Sequence, residues 1–119
     1  MDFTRKKMDS REKVQAVISA LEDIKAQDIQ VMDVSELSSL FEWMVIASAS
    51  STRQTKALAG HVEEKLKEAG ELVSGVEGLE TGEWVLVDLG DVIVHIMQPA
   101  IRQYYNLEGL WAAHARPLG

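Results

Sequence analysis

Apolar residues recur at helical spacing in two long stretches of the chain. The first stretch places its apolar residues on one face of a helix: Val14, Val17, Ile18, Leu21 and Ile24. Asp9 and Glu12 precede this face with the spacing of a capping box, so we expect a helix from about Ser10 to Lys25.

The second stretch predicts another long helix, which Ser50 or Ser51 can cap. Its buried stripe consists of Leu58, Val62, Leu66 and Ala69. Gly70 follows the stripe and is expected to end the helix. The outer face carries lysines and glutamates, which is typical of a solvated surface.

Other segments read as strands. "DIQVMDV" is rich in β-formers, "WMVIASAS" is a continuous apolar run typical of a strand covered on both sides, and "ELVSGVEG" is a third strand candidate. "SELSSLFE" between the first two reads as a loop or one helical turn. A closing helix, "AIRQYYNLEGLW", begins after Pro99. Strands alternating with helices predict an α/β fold, a mixed β-sheet with flanking helices.

"GEWVLVDLGDVIVHIMQ" predicts an antiparallel strand pair. With Leu89-Gly90 as the loop, Asp88 pairs with Asp91 and Trp84 with His95. One face then holds the β-branched core residues Val85, Val87, Val92, Val94 and Ile96. The other face holds Trp84, Leu86, Asp88, Ile93, His95 and Met97.

This second face has two interpretations. A helix of the same domain can cover it, which makes Trp84 a core residue. Alternatively the face is open and binds a partner, because tryptophan and methionine without lysine or glutamate match the core of a protein interface. In the closing helix, Tyr104 and Tyr105 cannot both lie at the centre of one stripe, so one tyrosine is expected at the rim.

Size and charge narrow the class of protein. The 119 residues suit one domain, with flexible ends expected at residues 1–9 and 114–119. A net charge of −7 argues against DNA binding and favours a basic partner. We expect no secretory signal and no membrane span, and hence a cytoplasmic protein. The chain has no cysteine, which excludes disulfides and thiolate sites.

The sequence carries only weak signals for a catalytic site. The hydroxyl-rich turn Ser48–Arg53 can hold a phosphate but lacks the glycines of a phosphate-binding loop. Asp88 and Asp91 can bind a divalent ion, although aspartate also favours hairpin turns. The histidines have no ligand spacing: His61, His95 and His114. We therefore predict no catalytic residues, no metal and no cofactor.

Five segments together resemble the ribosomal silencing factor family, also called iojap-like, from about Ala20 to Trp111. They are "ALEDIKAQDI", "MVIASASSTRQTKALAGHVEEKL", "GVEG", "GEWVLVDLGDVIVHIM" and "RQYYNLEGLW". The resemblance implies a nucleotidyltransferase-like fold that lacks the enzymatic metal site. It also implies a translational repressor that binds the large ribosomal subunit through ribosomal protein fourteen, a basic protein, and blocks joining with the small subunit.

Carried over onto this chain, the resemblance implies a partner surface on Trp84, Leu86, Ile93, His95, Met97 and Tyr105. Family members commonly have Gly-Thr-Ser where this chain has Ser48-Ala49-Ser50, and Arg-His where it has Arg53-Gln54, which weakens any role for that turn. Two alternatives stay open: a metal-dependent nucleotidyltransferase-like enzyme or nucleotide-binding domain using Asp88, Asp91 and the Ser48–Arg53 turn, and a homodimer through the apolar face. Contact with ribosomal RNA is also left open.

Overall fold

A computed structural model describes residues 7–112 and 116–117. Its helices are α1 (Ser10–Asp23), α2 (Thr52–Glu68), α3 (Pro99–Tyr105) and α4 (Leu107–Ala112). Its strands are β1 (Gln27–Asp33), β2 (Trp43–Ser48), β3 (Gly75–Glu77), β4 (Trp84–Asp88), β5 (Val92–Met97) and β6 (Arg116–Pro117).

The strands form one mixed sheet in the order β3-β4-β5-β2-β1-β6. β2 and β5 are parallel, and the other neighbouring pairs are antiparallel. The predicted α/β class with a mixed sheet and flanking helices is confirmed, whereas the nucleotidyltransferase-like detail stays a prediction. Of the ends expected to be flexible, residues 1–6, 114–115 and 118–119 lie outside the described residues.

The two long helices cover one face of the sheet. The predicted capping box is present, because Glu12 N–H donates to Asp9 at 2.8 Å and Asp9 N–H donates to Glu12 at 3.0 Å. Ser51 rather than Ser50 caps α2, accepting from Gln54 N–H at 3.1 Å. Every residue of β2 is buried, as its continuous apolar pattern predicts. The stripes predicted from helical periodicity lie in the core between helices and sheet, except that Ile18 and Ile24 are only partly buried and Ala69 lies outside this core.

The β4–β5 hairpin keeps the predicted faces but not the predicted pairing. Leu86 pairs with His95 and Trp84 with Met97, so the register is shifted by two residues. The loop is Gly90-Asp91, closed by a bond from Leu89 N–H to Val92 C=O at 2.9 Å. Gly90 has φ 91°, and a positive φ at the first loop position favours glycine. A shift of two residues leaves each side chain on its predicted face.

The prediction of one continuous closing helix is wrong. α3 ends where Asn106 adopts a left-handed conformation with φ 48°, and α4 begins at the next residue. Asparagine tolerates this conformation better than most residues, so the break has a local cause. The break lets Arg102 of α3 donate to both carboxylate oxygens of Glu108 in α4, each at 2.9 Å.

Helices α3 and α4 cover only part of the second sheet face. Ile101, Leu107 and Trp111 pack against a small core of five buried residues: Met32, Val34, Met44, Ile46 and Met97. That core lies toward the β1–β2 side of the sheet. The part made by β3, β4 and the start of β5 keeps half-exposed side chains, including Leu86 and Ile93.

Candidate functional site

The Trp84 indole lies at the border between the covered and the uncovered part of this face. It is half-buried, and its ring centroid lies 5.0 Å from that of Tyr105 on α3. Its Nε1–H donates to Nδ1 of His95 at 3.0 Å. Packing on one edge and a hydrogen bond on the other fix the ring, so Trp84 can present its exposed part without first becoming ordered.

Side chains on the uncovered part form two rows across the strands. Glu77, Leu86 and His95 are cross-strand neighbours in one row. Gly75, Asp88 and Ile93 form the next row. Glu77 and Asp88 therefore place two carboxylates on β3 and β4, whereas β5 contributes the apolar Ile93 and the buried His95.

The six residues predicted as a partner surface fall into three groups. Trp84, Leu86 and Ile93 are half-exposed, and Tyr105 exposes 53% of its surface. His95 is 7% exposed and sits behind Trp84. Met97 is fully buried under α3, so placing it on a contact surface is wrong, and its part is to support Trp84, its cross-strand partner.

A groove of about 630 Å³ opens beside the two rows of side chains on β3, β4 and β5. Sequence reasoning missed one of its walls, which the β1–β2 loop and α4 supply: Leu40, Phe41, Leu107 and Trp111. Phe41 and Trp111 contact each other with ring centroids 5.9 Å apart. The signal available in the sequence was Leu40-Phe41, two adjacent apolar residues in a loop rich in serine and glutamate; Leu40 is 83% exposed.

His95 is held in its neutral form. Burial lowers the pKa of His95 to about 4 from the usual 6.5. Because Nδ1 accepts the hydrogen bond from Trp84, the ring proton of the neutral form belongs on Nε2. Protonation at Nδ1 would remove this acceptor and release the indole N–H.

We expect His95 to make folding stability depend on pH. Its pKa is lower in the folded than in the unfolded chain, so its contribution is complete above about pH 6.5 and is lost as pH falls toward 4, by on the order of 3 kcal/mol. His95→Gln keeps an acceptor for Trp84 but does not titrate. Chemical denaturation from pH 7 to pH 4 should show a smaller decline in the variant; equal declines would contradict this role.

The residues of the catalytic alternative have partners within the protein. Asp91 Oδ1 lies 2.6 Å from Lys13 Nζ, and Asp88 Oδ1 accepts from Gly90 N–H at 2.8 Å. In the Ser48–Arg53 turn, Ser48 Oγ accepts from Arg102 at 2.8 Å. Within residues 7–112, no group of three or more His, Asp or Glu residues could hold a metal ion. His61 pairs with Asp23 instead, and His114 lies outside the described residues.

Fold and surface together define an α/β domain whose prominent surface feature is an aromatic, partly apolar face beside an acidic edge. In the described part of the chain, no helix is long and apolar enough to cross a membrane. Residues 7–118 match the family model described as "Ribosomal silencing factor during starvation". The chain belongs to the ribosomal silencing factor family, as the resemblance predicts.

Individual relatives agree with this assignment. The chain is 56% identical to ribosomal silencing factor RsfS of Chromobacterium violaceum over 104 residues, covering 87% of this chain and 85% of the relative. A crystal structure of a protein from the same species has a TM-score of 0.87 at 55% identity and covers 88% of each chain. The mouse protein named "Mitochondrial assembly of ribosomal large subunit protein 1" is 31% identical over 82% of this chain and 44% of that protein.

Proposed function

We propose that this protein represses translation by binding the large ribosomal subunit through ribosomal protein fourteen and blocking its joining with the small subunit. The contact surface is the uncovered sheet face with its rim: Trp84, Leu86, Ile93 and Tyr105, with His95 and Met97 behind them. Family membership supports a ribosome-associated regulatory role, and the name of the mouse relative supports association with a large subunit.

The single observation that carries the proposal is the fixed, half-exposed indole of Trp84. Interfaces concentrate their binding energy in a few aromatic anchors that are already ordered in the free protein. Trp84 meets both conditions through its contacts with Tyr105 and His95. Steric block of an assembly step needs no catalysis, and a net charge of −7 complements a basic ribosomal protein in the cytoplasm.

Two sedimentation experiments test this function. Purified large subunits should carry the protein through a sucrose cushion, whereas small subunits should not. Protein added to large subunits before small subunits should then reduce the fraction of joined ribosomes in a gradient. Binding without any effect on joining would remove the repressor mechanism, and absence of binding would remove the proposal as a whole.

The same exposed aromatic rim supports a second candidate, a homodimer that masks the surface until the ribosome competes for it. Light scattering of the purified protein measures the mass directly. A dimer that Tyr105→Ala converts to a monomer would support this arrangement, and a monomer at every concentration would exclude it. For the nucleotide-binding alternative, calorimetry with nucleoside triphosphates and Mg²⁺ should show no heat of binding.

A further inference from the structure

The groove beside Trp84 differs in chemistry from one side to the other. Glu77 lies on the edge strand β3 and is exposed, and Asp88 lies on β4 and is half-exposed. The opposite wall is apolar and includes Phe41, Leu107 and Trp111. Among the described residues that line the groove, there are two carboxylates and no lysine or arginine.

The backbone leaves the acidic side open. Gly75 is the cross-strand neighbour of Asp88, and a Cβ added at Gly75 would meet no atom within 4 Å. No side chain therefore stands between Asp88 and the solvent at that position of β3. Asp88 Oδ1 already accepts from Gly90 N–H, which fixes the carboxylate and leaves its second oxygen able to accept from a ligand.

Resting on the proposed function, we infer that the groove binds a polypeptide segment of the partner in which a lysine or arginine side chain adjoins an apolar one. The apolar side chain packs between Ile93 and Phe41, and the cation lies at Glu77 and Asp88. A phosphate-rich strand of RNA does not fit this groove, because the two carboxylates repel phosphate and no cation of the lining offsets them.

The two halves of the groove contribute differently to binding. Partly exposed charges mainly raise the association rate, and their effect weakens as salt screens them. Apolar contact on Ile93 and Phe41 is insensitive to that screening. If the partner segment has this chemistry, its cation contributes to binding in a salt-dependent way, and its apolar side chain contributes in a salt-independent way.

The test uses co-sedimentation with purified large subunits at low and high potassium chloride. Glu77→Gln combined with Asp88→Asn should weaken binding by about 5- to 10-fold at low salt and by much less at high salt. Asparagine keeps the Oδ1 acceptor for Gly90 N–H, so the turn should persist. Ile93→Ser should weaken binding to a similar degree at both salt concentrations.

A matched control removes two carboxylates that lie elsewhere on the surface, Glu22→Gln with Glu64→Gln. If the groove variant and this control weaken binding equally, the effect is one of net charge and the inference is overturned, while the proposed function stands. Tighter binding of the groove variant would also overturn the inference. It would mean that the two carboxylates repel their partner, as they would if the groove faced phosphate. Failure of the unmodified protein to sediment would instead overturn the proposed function.

Discussion

Replacing Trp84 with alanine is expected to weaken binding to large ribosomal subunits by about 2 kcal/mol or more, roughly 30-fold. The ring centroids of Trp84 and Tyr105 are 5.0 Å apart, and Trp84 Nε1–H donates to His95 Nδ1 at 3.0 Å. Truncation of Trp84 therefore removes the anchor and also the contacts that order the surrounding rim. Fluorescence anisotropy of labelled protein titrated with purified large subunits measures the loss.

Because Trp84 also packs on the small core behind it, its removal lowers folding stability as well. Tyr105→Ala separates the two effects, since Tyr105 lies on the rim and is 53% exposed. Its neighbour Tyr104, 80% exposed on the same helix, provides the matched control. We expect Tyr105→Ala to cost more binding than Tyr104→Ala while both variants melt close to the unmodified protein. Equal, small losses would place the contact surface elsewhere.

Replacing Lys13 with methionine is expected to give the largest loss of folding stability, about 3 kcal/mol. Lys13 is 8% exposed and its Nζ lies 2.6 Å from Asp91, 3.3 Å from Leu89 C=O and 3.5 Å from Glu71. Glu71 is itself 7% exposed. Removing one member of a buried ion cluster leaves the other charges without compensation, which costs more than the cluster contributes when intact.

Chemical denaturation followed by circular dichroism measures this loss. Lys65→Met is the matched control, because Lys65 pairs with Glu68 on the exposed face of α2 and such pairs contribute little. Adding Glu71→Gln to Lys13→Met should recover part of the stability by removing the stranded carboxylate. A Lys13 variant as stable as the Lys65 variant would contradict the account.

Periodicity predicted most of the fold, because the faces of helices and strands follow from the local order of apolar and polar residues. The two faces of β4 and β5 follow from the order of apolar residues and survived an error of two residues in pairing. The turn itself was ambiguous, since both Leu89-Gly90 and Gly90-Asp91 place glycine in the loop. Burial of Leu89 and the ion pair between Asp91 and Lys13 select the second, and Lys13 is distant in the sequence.

Alternation along one hairpin predicted part of the candidate site, and the family resemblance added Tyr105 of the closing helix. Trp84, Leu86 and Ile93 share a face by alternation, whereas the groove also needs Phe41 and Trp111, which come together only in the folded chain. Exposure of Met97 was mispredicted because α3 covers one end of β5 and leaves the other open. Strand alternation specifies a face but carries no information about how far along the strand a later helix extends.

The most direct test of the docking surface is photo-crosslinking within the complex of the protein and large ribosomal subunits. A photoreactive phenylalanine derivative is introduced at Tyr105 on the rim or, as a control, at Glu64 on the outer face of α2. We predict that the probe at position 105 crosslinks to ribosomal protein fourteen and that the probe at position 64 does not. Crosslinks to that protein from position 64 alone would contradict it.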